Sequence, residues 1–505
     1  MKKILILPLD ERPCNYTFNQ LLVKETDYEA IVPPLSILGD KKKAGDVNKI
    51  AAWLLSAAKK ADGAILALDT LVYGGIVPSR LYHDEVDVLL ERLNLVKEIK
   101  RINPSLKIYA YNLIMRNPSY ASSEEEPDYY ETWGYDIHRY GVITHKQDLH
   151  NASKEELVEL AEINARLPRE FLNDYIERRD KNILVNQAFL SLIAEGYIEF
   201  GIVPQDDSSP YGLTALDQIM VRKTIEDLNI ELKVYMYPGA DEVTNTLLAR
   251  MINEDHHFTP RVYVKYSSVG AGKIIPLYED RYLNETIKYQ ILAAGAMPCT
   301  SEVEADIILM VNAPSEHMQE ANHFEKRGIS YDSFRTLIEY VEYSAYAIDV
   351  LNKSVVIADV AYANGGDRQL LKLLKQKGLL YRIAGYAGWN TSSNTLGTCI
   401  AQGMINHLYP NRKAHLDFLA LRYVEDVGYC SFVRSMIAET LPAGTHYYLL
   451  DGKRGKVVSQ IKEKLEVFTE KHLTVEGFKI KITDIYSPWN RMFETGLTVE
   501  VTHEN

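Results

Sequence analysis

Residues 198–212 read Ile-Glu-Phe-Gly-Ile-Val-Pro-Gln-Asp-Asp-Ser-Ser-Pro-Tyr-Gly, and this stretch decides the fold. Residues 200–203 form a short apolar run, partly β-branched and followed at once by turn residues, which predicts a buried strand. Gln205, Asp206 and Asp207 stand where the chain leaves that strand. Because ligands of parallel α/β folds bind at the carboxyl ends of strands, the stretch predicts a functional edge of a parallel sheet.

The adjacent carboxyl groups of Asp206 and Asp207 form the candidate catalytic pair. Two carboxylates cannot both ionise cheaply in a dry pocket, so one of them is a candidate acid with a raised pKa. The alternative interpretation is that one carboxylate caps the following helix while the other is solvated. The polar residues at other strand ends favour the catalytic interpretation.

The composition is that of a globular protein. Of the 505 residues, 46% are hydrophobic and 25% are charged, which argues against disorder. This length suits two or three domains, or one large barrel with a smaller appendage. The formal net charge of -13 disfavours a nucleic-acid or anionic-membrane partner, because either would require a basic surface.

Cysteine spacing and the N-terminus indicate the compartment. The cysteines, Cys14, Cys299, Cys399 and Cys430, lie far apart, which favours reduced structural thiols over a disulfide frame or a zinc site. The N-terminal apolar run is too short for a signal peptide, and no stretch approaches the roughly 18 apolar residues of a membrane span. We therefore expect a soluble, cytoplasmic protein without a membrane partner; a homo-oligomer is left open.

Short apolar strands alternate with amphipathic segments over most of the chain, which is the pattern of a parallel sheet. The predicted fold class is α/β, with a (β/α)8-like (TIM) barrel over residues 1–410 and a C-terminal α+β cap over residues 411–505. The alternative is two parallel α/β sheet domains. Residues 119–150 break the periodicity and are expected to form an insertion that acts as a lid or substrate loop.

Strand after strand ends in a carboxylate or an amide side chain. In one barrel these side chains would surround a single polar pocket. Such a pocket suits a neutral ligand with many hydroxyl groups, and Trp389 and Tyr211 are expected to stack on a pyranose face. For about half of the set the alternative role is helix N-capping. The predicted substrate-binding residues are Asp10, Arg12, Asp69, Tyr73, Asn112, Arg116, Tyr211, Asp241, Glu242, Asn312, Asp359, Asn364, Asp367, Trp389, Asn390 and Asn394.

Motifs for other chemistries are weak. Gly270-Ala271-Gly272 lacks the third glycine of a dinucleotide fingerprint, and the sequence contains neither a Walker loop nor a Gly-x-Ser-x-Gly elbow. Asp359 and Asp367 are an alternative set of oxygen ligands for Mg²⁺ or Ca²⁺. We expect no cofactor and no resident metal.

Several segments together resemble an uncharacterised bacterial family, known as domain of unknown function 4127. The resemblance covers residue 1 to about residue 400, and the family implies no secure activity. The matching stretches are residues 7–13, 69–80, 204–212, 237–242, 358–367 and 388–397.

The pair Asp206-Asp207 is also similar, more loosely, to the paired carboxylates of retaining β-N-acetylhexosaminidase-type barrels. This resemblance implies that the substrate's own acetamido group is the nucleophile. Asp206 would then orient the acetamide, while Asp207 would protonate the leaving oxygen and later activate water. Asn390 or Tyr211 would hold the acetamide oxygen. Gln205 and the Ser-Ser-Pro loop depart from the residues that flank the pair in those families.

These observations favour a glycoside hydrolase acting on an N-acetylhexosamine-containing oligosaccharide or small-molecule substrate by substrate-assisted, retaining hydrolysis. A second hypothesis is a metal-dependent hydrolase or isomerase of small polar molecules. Its oxygen ligands would be Asp206, Asp241, Glu242 and Asp359. A third hypothesis is a non-catalytic sugar-binding protein.

Overall fold

A computed structural model describes residues 1–503 and shows a mixed α/β protein with parallel sheets. This confirms the α/β class; the (β/α)8-like barrel and the division near residue 410 stay predictions. Contacts group the chain into two compact units. The first unit comprises Met1–Glu11, Glu29–Thr244 and Tyr278–Arg281, and the second comprises Arg12–Tyr28, Asn245–Leu277 and Tyr282–Asn505.

The first unit is built on a six-stranded sheet. Its strands are β1 (Lys2–Leu7), β2 (Tyr28–Ile31), β3 (Gly63–Ala67), β4 (Lys107–Tyr111), β5 (Phe200–Gln205) and β6 (Val234–Pro238). The strand order is β2-β1-β3-β4-β5-β6, and the pairs β1–β3, β3–β4, β4–β5 and β5–β6 are parallel. Strands β3 and β5 are buried along their whole length, as apolar strands of a covered parallel sheet should be. The carboxyl ends of these parallel strands therefore share one edge.

The second unit contains a five-stranded parallel sheet and two small sheets. Its further strands are β7 (Arg261–Tyr266), β8 (Met297–Cys299), β9 (Ile307–Asn312), β10 (Gln319–Glu320), β11 (Ser354–Asp359), β12 (Tyr362–Ala363), β13 (Gly385–Ala387), β14 (Phe478–Tyr486) and β15 (Gly496–His503). The large sheet has the order β13-β11-β9-β7-β8, while β10 pairs with β12 in parallel and β14 with β15 antiparallel.

Capping residues in the sequence account for several helix starts. Asp46 accepts a hydrogen bond from the backbone N–H of Lys49, and Ser153 forms a capping box with Glu156. The α-helices are Pro13–Tyr16, Phe18–Val23, Val47–Ala58, Leu68–Tyr73, Val86–Leu93, Leu95–Ile102, Tyr130–Asp148, Lys154–Arg166, Arg169–Ala194, Leu213–Asp227, Val243–Asp255, Leu283–Ala293, Ile329–Asp332, Leu337–Asp349, Arg368–Gln376, Ser392–Leu408, Lys413–Arg422, Arg434–Ala438 and Lys456–His472, with a π-helix at Tyr423–Val433.

The stretch 119–150 differs from the irregular insertion expected from the sequence, because Tyr130–Asp148 is a helix. Tyr130, Ile137 and Ile143 of this helix pack in a buried cluster with Leu160 and other apolar residues. Burial of one apolar face thus outweighs the low helix propensity of its tyrosines and glycines. Residues 119–129, which precede this helix, contain no helix or strand.

Candidate functional site

Acids from three strand ends of the first unit lie around Tyr111, the last residue of β4. Asp10, Asp69 and Asp241 follow β1, β3 and β6, and all three are buried. Burial raises the pKa of Tyr111 well above its usual range, and the negative charges of these three acids raise it further. Its hydroxyl group shares a 2.9 Å hydrogen bond with Thr244. The first sheet therefore gathers the polar strand ends predicted for it.

Two arginines and four carboxylates form a dense ionic cluster next to these strand ends. Four acids face two guanidinium groups, so negative charge is in excess unless two carboxyl groups are protonated. Three of the six residues, Arg80, Glu125 and Glu126, were absent from the predicted site, although the acidic run at residues 124–126 was a visible signal. The members of this acid–arginine cluster are Arg80, Arg116, Glu125, Glu126, Asp206 and Asp207.

Arg80 fixes the position of Asp206. Its Nη2 donates to Asp206 Oδ2 at 2.5 Å, and its Nη1 lies 3.3 Å from both Glu125 Oε2 and Glu126 Oε1. Arg80 and Glu126 are buried, whereas 13% of the Asp206 side chain is exposed. A guanidinium group buried in this way needs several anionic partners, because removing it from water is costly.

Arg116 joins the other carboxylates through three separate nitrogen atoms. Nε donates to Glu126 Oε1 at 2.7 Å, Nη1 to Asp207 Oδ2 at 3.1 Å, and Nη2 to Glu125 Oε2 at 3.1 Å. The planar guanidinium group presents donors in a fixed fork, so it sets the relative positions of three acids. In the structure Arg116 contacts these acids, and its predicted role as a substrate ligand stays a prediction.

Asp207 is the more accessible carboxyl group of the candidate catalytic pair. Its side chain is 23% exposed, and its backbone has φ of 38°, in the left-handed region. Burial is the largest cause that raises its pKa, followed by the charge of Asp206, while Arg116 and Arg80 lower it. A partly accessible carboxyl group with a raised pKa can donate a proton near neutral pH.

Neither Asp206 nor Asp207 caps the helix that follows. Leu213–Asp227 begins after Gly212, and no side chain caps its first turn. Instead, the turn that carries the pair is held by the segment 278–281: Ser208 N donates to Tyr278 O at 2.9 Å. The capping interpretation is therefore wrong for this pair.

Gln205 connects the same turn to the segment 278–281 through its side chain. Arg281 Nη2 donates to Gln205 Oε1 at 2.5 Å, and Gln205 Nε2 donates to Asp280 Oδ2 at 3.2 Å. Gln218 also donates to Asp280 at 2.9 Å. These contacts join residues far apart in the chain, so no local pattern in the sequence predicts them.

Asp69 is more deeply buried than Asp206 and Asp207. Its Oδ2 accepts hydrogen bonds from Leu113 N at 3.0 Å and from Asn112 Nδ2 at 3.2 Å. Burial raises the pKa of Asp69 to about 7. A small cavity of about 10 Å³, about the minimum that holds one water molecule, is lined by Asp69 together with Arg80 and Asp206. Asp69 thus contributes a buried acid next to the cluster.

The remaining predicted residues of the first unit are packed against protein. Tyr73 is buried and stacks on Tyr82 with ring centroids 4.7 Å apart. Tyr211 lies edge-on to His145 at 5.6 Å, and Glu242 Oε2 accepts from Ala240 N at 2.9 Å. Their roles as substrate ligands stay predictions.

The predicted acids of the second unit form a different, fully buried network. Asp359 Oδ1 accepts from Asn312 Nδ2 at 2.8 Å, and Asp359 Oδ2 accepts from Tyr386 Oη at 2.7 Å. Arg335 Nη1 donates to Asp367 Oδ2 at 2.6 Å and to Asn312 Oδ1 at 2.9 Å. Burial and the charge of Asp367 raise the pKa of Asp359. The partners of these acids are supplied from within the protein.

Asp367 also has the capping role that the sequence offered as an alternative. Its Oδ1 accepts hydrogen bonds from Gln369 N at 2.8 Å and from Leu370 N at 3.4 Å, at the start of the helix Arg368–Gln376. The capping alternative is therefore confirmed for this residue.

Aromatic and amide residues of the second unit are likewise engaged. Trp389 is only 8% exposed, its Nε1 donates to Thr398 at 3.3 Å, and its ring meets Phe18 edge-on at 6.1 Å. The Arg12 guanidinium group lies over the ring of Trp489, 4.4 Å from its centroid. Asn364 donates from Nδ2 to Glu320 Oε2 at 2.9 Å and from its backbone N to the carbonyl of Asn390 at 2.8 Å. Asn394 N donates to Thr391 Oγ1 at 3.4 Å.

The described residues also bear on metal ligation and on membrane insertion. Among residues 1–503, no group of three or more His, Cys, Asp or Glu side chains is arranged to hold a metal ion. No helix in that range combines the length and apolar character that crossing a lipid bilayer requires. The metal-dependent alternative stays a prediction.

Fold and site define an α/β protein whose parallel strands end in a cluster of acids and arginines. The chain belongs to the family described as Protein of unknown function (DUF4127), which matches residues 4–498. The resemblance recognised up to about residue 400 therefore extends over nearly the whole chain.

Comparison with curated proteins gave no match. Among solved structures, the carboxyl transferase domain from Rhizobium etli pyruvate carboxylase with 3-bromopyruvate is similar at 11% identity with a TM-score of 0.18. That alignment covers 87% of this chain and 54% of the other, and a likeness at this level carries no argument. The looser similarity to glycoside hydrolase barrels gains no support from these comparisons.

Proposed function

We propose that this protein is a glycoside hydrolase that acts on N-acetylhexosamine-containing saccharides, with Asp207 as its general acid. One observation carries the proposal: Asp207 is the most exposed carboxyl group of the cluster, it is set beside Asp206, and burial together with the charge of Asp206 raises its pKa. Cleavage of a glycosidic bond needs a carboxylic acid that still holds its proton when the substrate binds. The proposal includes the finer fold assignment, a (β/α)8-like barrel, which is supported by parallel strands with polar ends.

In the proposed reaction, Asp207 donates its proton to the glycosidic oxygen while the bond from that oxygen to the anomeric carbon breaks. The carbonyl oxygen of the substrate's acetamido group attacks the anomeric carbon and gives an oxazoline-like intermediate. Water then attacks the anomeric carbon while the bond from that carbon to the acetamido oxygen breaks, which regenerates the acetamido group. The Asp207 carboxylate takes a proton from the attacking water, which restores the starting acid.

Asp206 has the orienting role. Its carboxylate accepts a hydrogen bond from the acetamide N–H, and this interaction favours the positive charge that develops on the acetamido group. Arg80 holds the Asp206 side chain at 2.5 Å, so the carboxylate need not reorganise during the reaction. The positive charges of Arg80 and Arg116 reduce the electrostatic repulsion between the carboxyl groups of Asp206 and Asp207.

The direct test is turnover of a panel of aryl N-acetylhexosaminides by the parent protein and by Asp207→Asn. Asparagine keeps the size of the side chain but cannot donate the proton, so we expect kcat to fall about 100-fold or more. Asp227→Asn, at an exposed position of the same unit, is the matched control and should retain activity. Full turnover by Asp207→Asn would show that the acid is assigned wrongly. Saccharides that raise the Tm of the parent without being cleaved would favour the non-catalytic hypothesis.

A further inference from the structure

The first unit contains a second candidate binding site, a cleft of about 480 Å³. This volume lies in the range of small-molecule sites in proteins. The cleft is lined by aromatic rings and by acidic and basic side chains. The lining residues that matter for its chemistry are Lys42, Asp128, Tyr129, Phe171, Asp174 and Arg178.

The wall of the cleft is fixed by contacts within the protein. Asp174 accepts hydrogen bonds from both terminal nitrogens of Arg178 at 2.8 Å and from the Tyr129 hydroxyl at 2.6 Å. The rings of Tyr129 and Phe171 stack with centroids 4.9 Å apart and an angle of 15° between their planes. An aromatic wall held in this way would lose little conformational entropy when a ligand binds.

Paired charges make these residues close to neutral as a group. Lys42 Nζ lies 3.1 Å from Asp128 Oδ1, and Arg178 is paired with Asp174. Glu170 also lines the cleft and adds one negative charge, so an anionic ligand would find no net counter-charge there. A neutral ligand with hydroxyl groups finds donors and acceptors next to an aromatic face, which is the combination that recognises sugars.

One segment of the chain, residues 125–129, contributes to both the cleft and the acid–arginine cluster. Glu125 and Glu126 contact Arg80 and Arg116, and the residues that follow them, from Pro127 to Tyr129, line the cleft. One short segment thus carries both the acids of the cluster and part of the cleft wall. A ligand held by this wall lies next to the segment that positions the catalytic acids.

We propose that this cleft is a saccharide subsite that binds sugar residues of the substrate beyond the bond that is cleaved. This inference rests on the proposed function and deepens it, because it makes the substrate an oligosaccharide instead of a single glycoside. Phe171 would supply the stacking face, and Asp174, which Arg178 holds in place, would hydrogen-bond the hydroxyl groups.

Calorimetric titration of the Asp207→Asn protein with triacetylchitotriose and with N-acetylglucosamine tests the subsite without turnover. Adding Phe171→Ala should weaken binding of the trisaccharide by about tenfold, as loss of one aromatic contact does, and should leave binding of the monosaccharide unchanged. Phe171→Leu keeps most of the apolar volume and should show the same loss if Phe171→Ala fails to fold. Phe334→Ala, at an exposed aromatic of the second unit, is the control.

The subsite is ruled out if the Asp207→Asn protein does not bind the trisaccharide. It is also ruled out if both Phe171 variants of that protein bind the trisaccharide as tightly as Asp207→Asn alone does. An equal loss in Phe334→Ala also overturns it. If Phe171 governs trisaccharide binding while no glycoside is cleaved, the subsite stands and the proposed catalysis fails. If aryl glycosides are cleaved while Phe171 has no effect on the trisaccharide, the catalysis stands and the subsite fails.

Discussion

Arg116 donates from Nη1 to Asp207 at 3.1 Å and, from Nε of the same guanidinium group, to the fully buried Glu126 at 2.7 Å. One side chain thus links an accessible carboxyl group to a carboxylate that has no contact with solvent. The position of the candidate acid therefore depends on the same guanidinium group that pairs with the buried Glu126.

Removal of Arg116 should destabilise the fold. Arg116→Met leaves Glu126 with Arg80 as its remaining cation, and breaking a buried ion pair on one side costs about 3–5 kcal/mol. Urea unfolding followed by circular dichroism measures the change. Arg101→Met, at a pair whose arginine is 73% exposed, should cost about 1 kcal/mol or less. Equal losses in the two variants would contradict a buried role for Arg116.

Leaving-group dependence should separate an acid from a structural residue at position 207. Dinitrophenolate is a good leaving group that departs without being protonated, whereas the methoxy group of a methyl glycoside must be protonated to leave. Asp207→Asn should therefore slow cleavage of the methyl glycoside far more than cleavage of the dinitrophenyl glycoside. In the parent, kcat/KM should fall as pH rises through the raised pKa of Asp207, and this fall should disappear in the variant. A loss of equal size for both substrates would indicate a structural effect.

Fluorination of the acetamido group tests participation by the substrate. Each fluorine makes the carbonyl oxygen a poorer nucleophile, so kcat should fall steadily from acetamido to trifluoroacetamido glycosides. All substrates of the series should carry the same leaving group, so that differences in kcat reflect the acetamido group alone. If the rates do not change along the series, the nucleophile is not the acetamido group, and a carboxylate of the protein would take that role.

Stability should depend on pH through Asp69. The pKa of Asp69 is raised by burial from 3.8 to about 7, so between these values the folded state holds a proton that the unfolded state has released. Consequently, this group makes the free energy of unfolding fall as pH rises across that range. Asp69→Asn cannot titrate, so its unfolding free energy should fall less between about pH 5 and about pH 8 than that of the parent. Asp87→Asn, at an exposed helix position, should follow the parent.

The buried network of the second unit should be structural. Tyr386→Phe removes the hydroxyl group that donates to Asp359 at 2.7 Å, and loss of one buried partner costs about 1–3 kcal/mol. We expect this loss in urea unfolding, with kcat on aryl glycosides within about twofold of the parent. A variant with parental stability and greatly reduced kcat would instead place this network in the catalytic site.

Local patterns predicted much of the framework. The run at residues 200–203 and the polar residues after it indicated β5 and its polar carboxyl end, because a short apolar run followed by turn residues marks a buried strand. The helix Tyr130–Asp148 was missed, since its stability comes from packing against Leu160 and its neighbours and not from its own propensity. Arg80 was missed because its partners Glu125, Glu126 and Asp206 lie 45 to 126 positions away in the chain.

The sequence by itself determined the α/β class and the acids that end β1, β3, β5 and β6, because strand periodicity and turn chemistry act between near neighbours in the chain. Only the tertiary structure decided which acids meet arginines and which are held by the backbone. Asp206 and Asp367 are both acids at helix–strand junctions in the sequence, yet one pairs with Arg80 while the other caps a helix and pairs with Arg335. Burial and long-range contacts set these environments, and they exist only after the chain has folded.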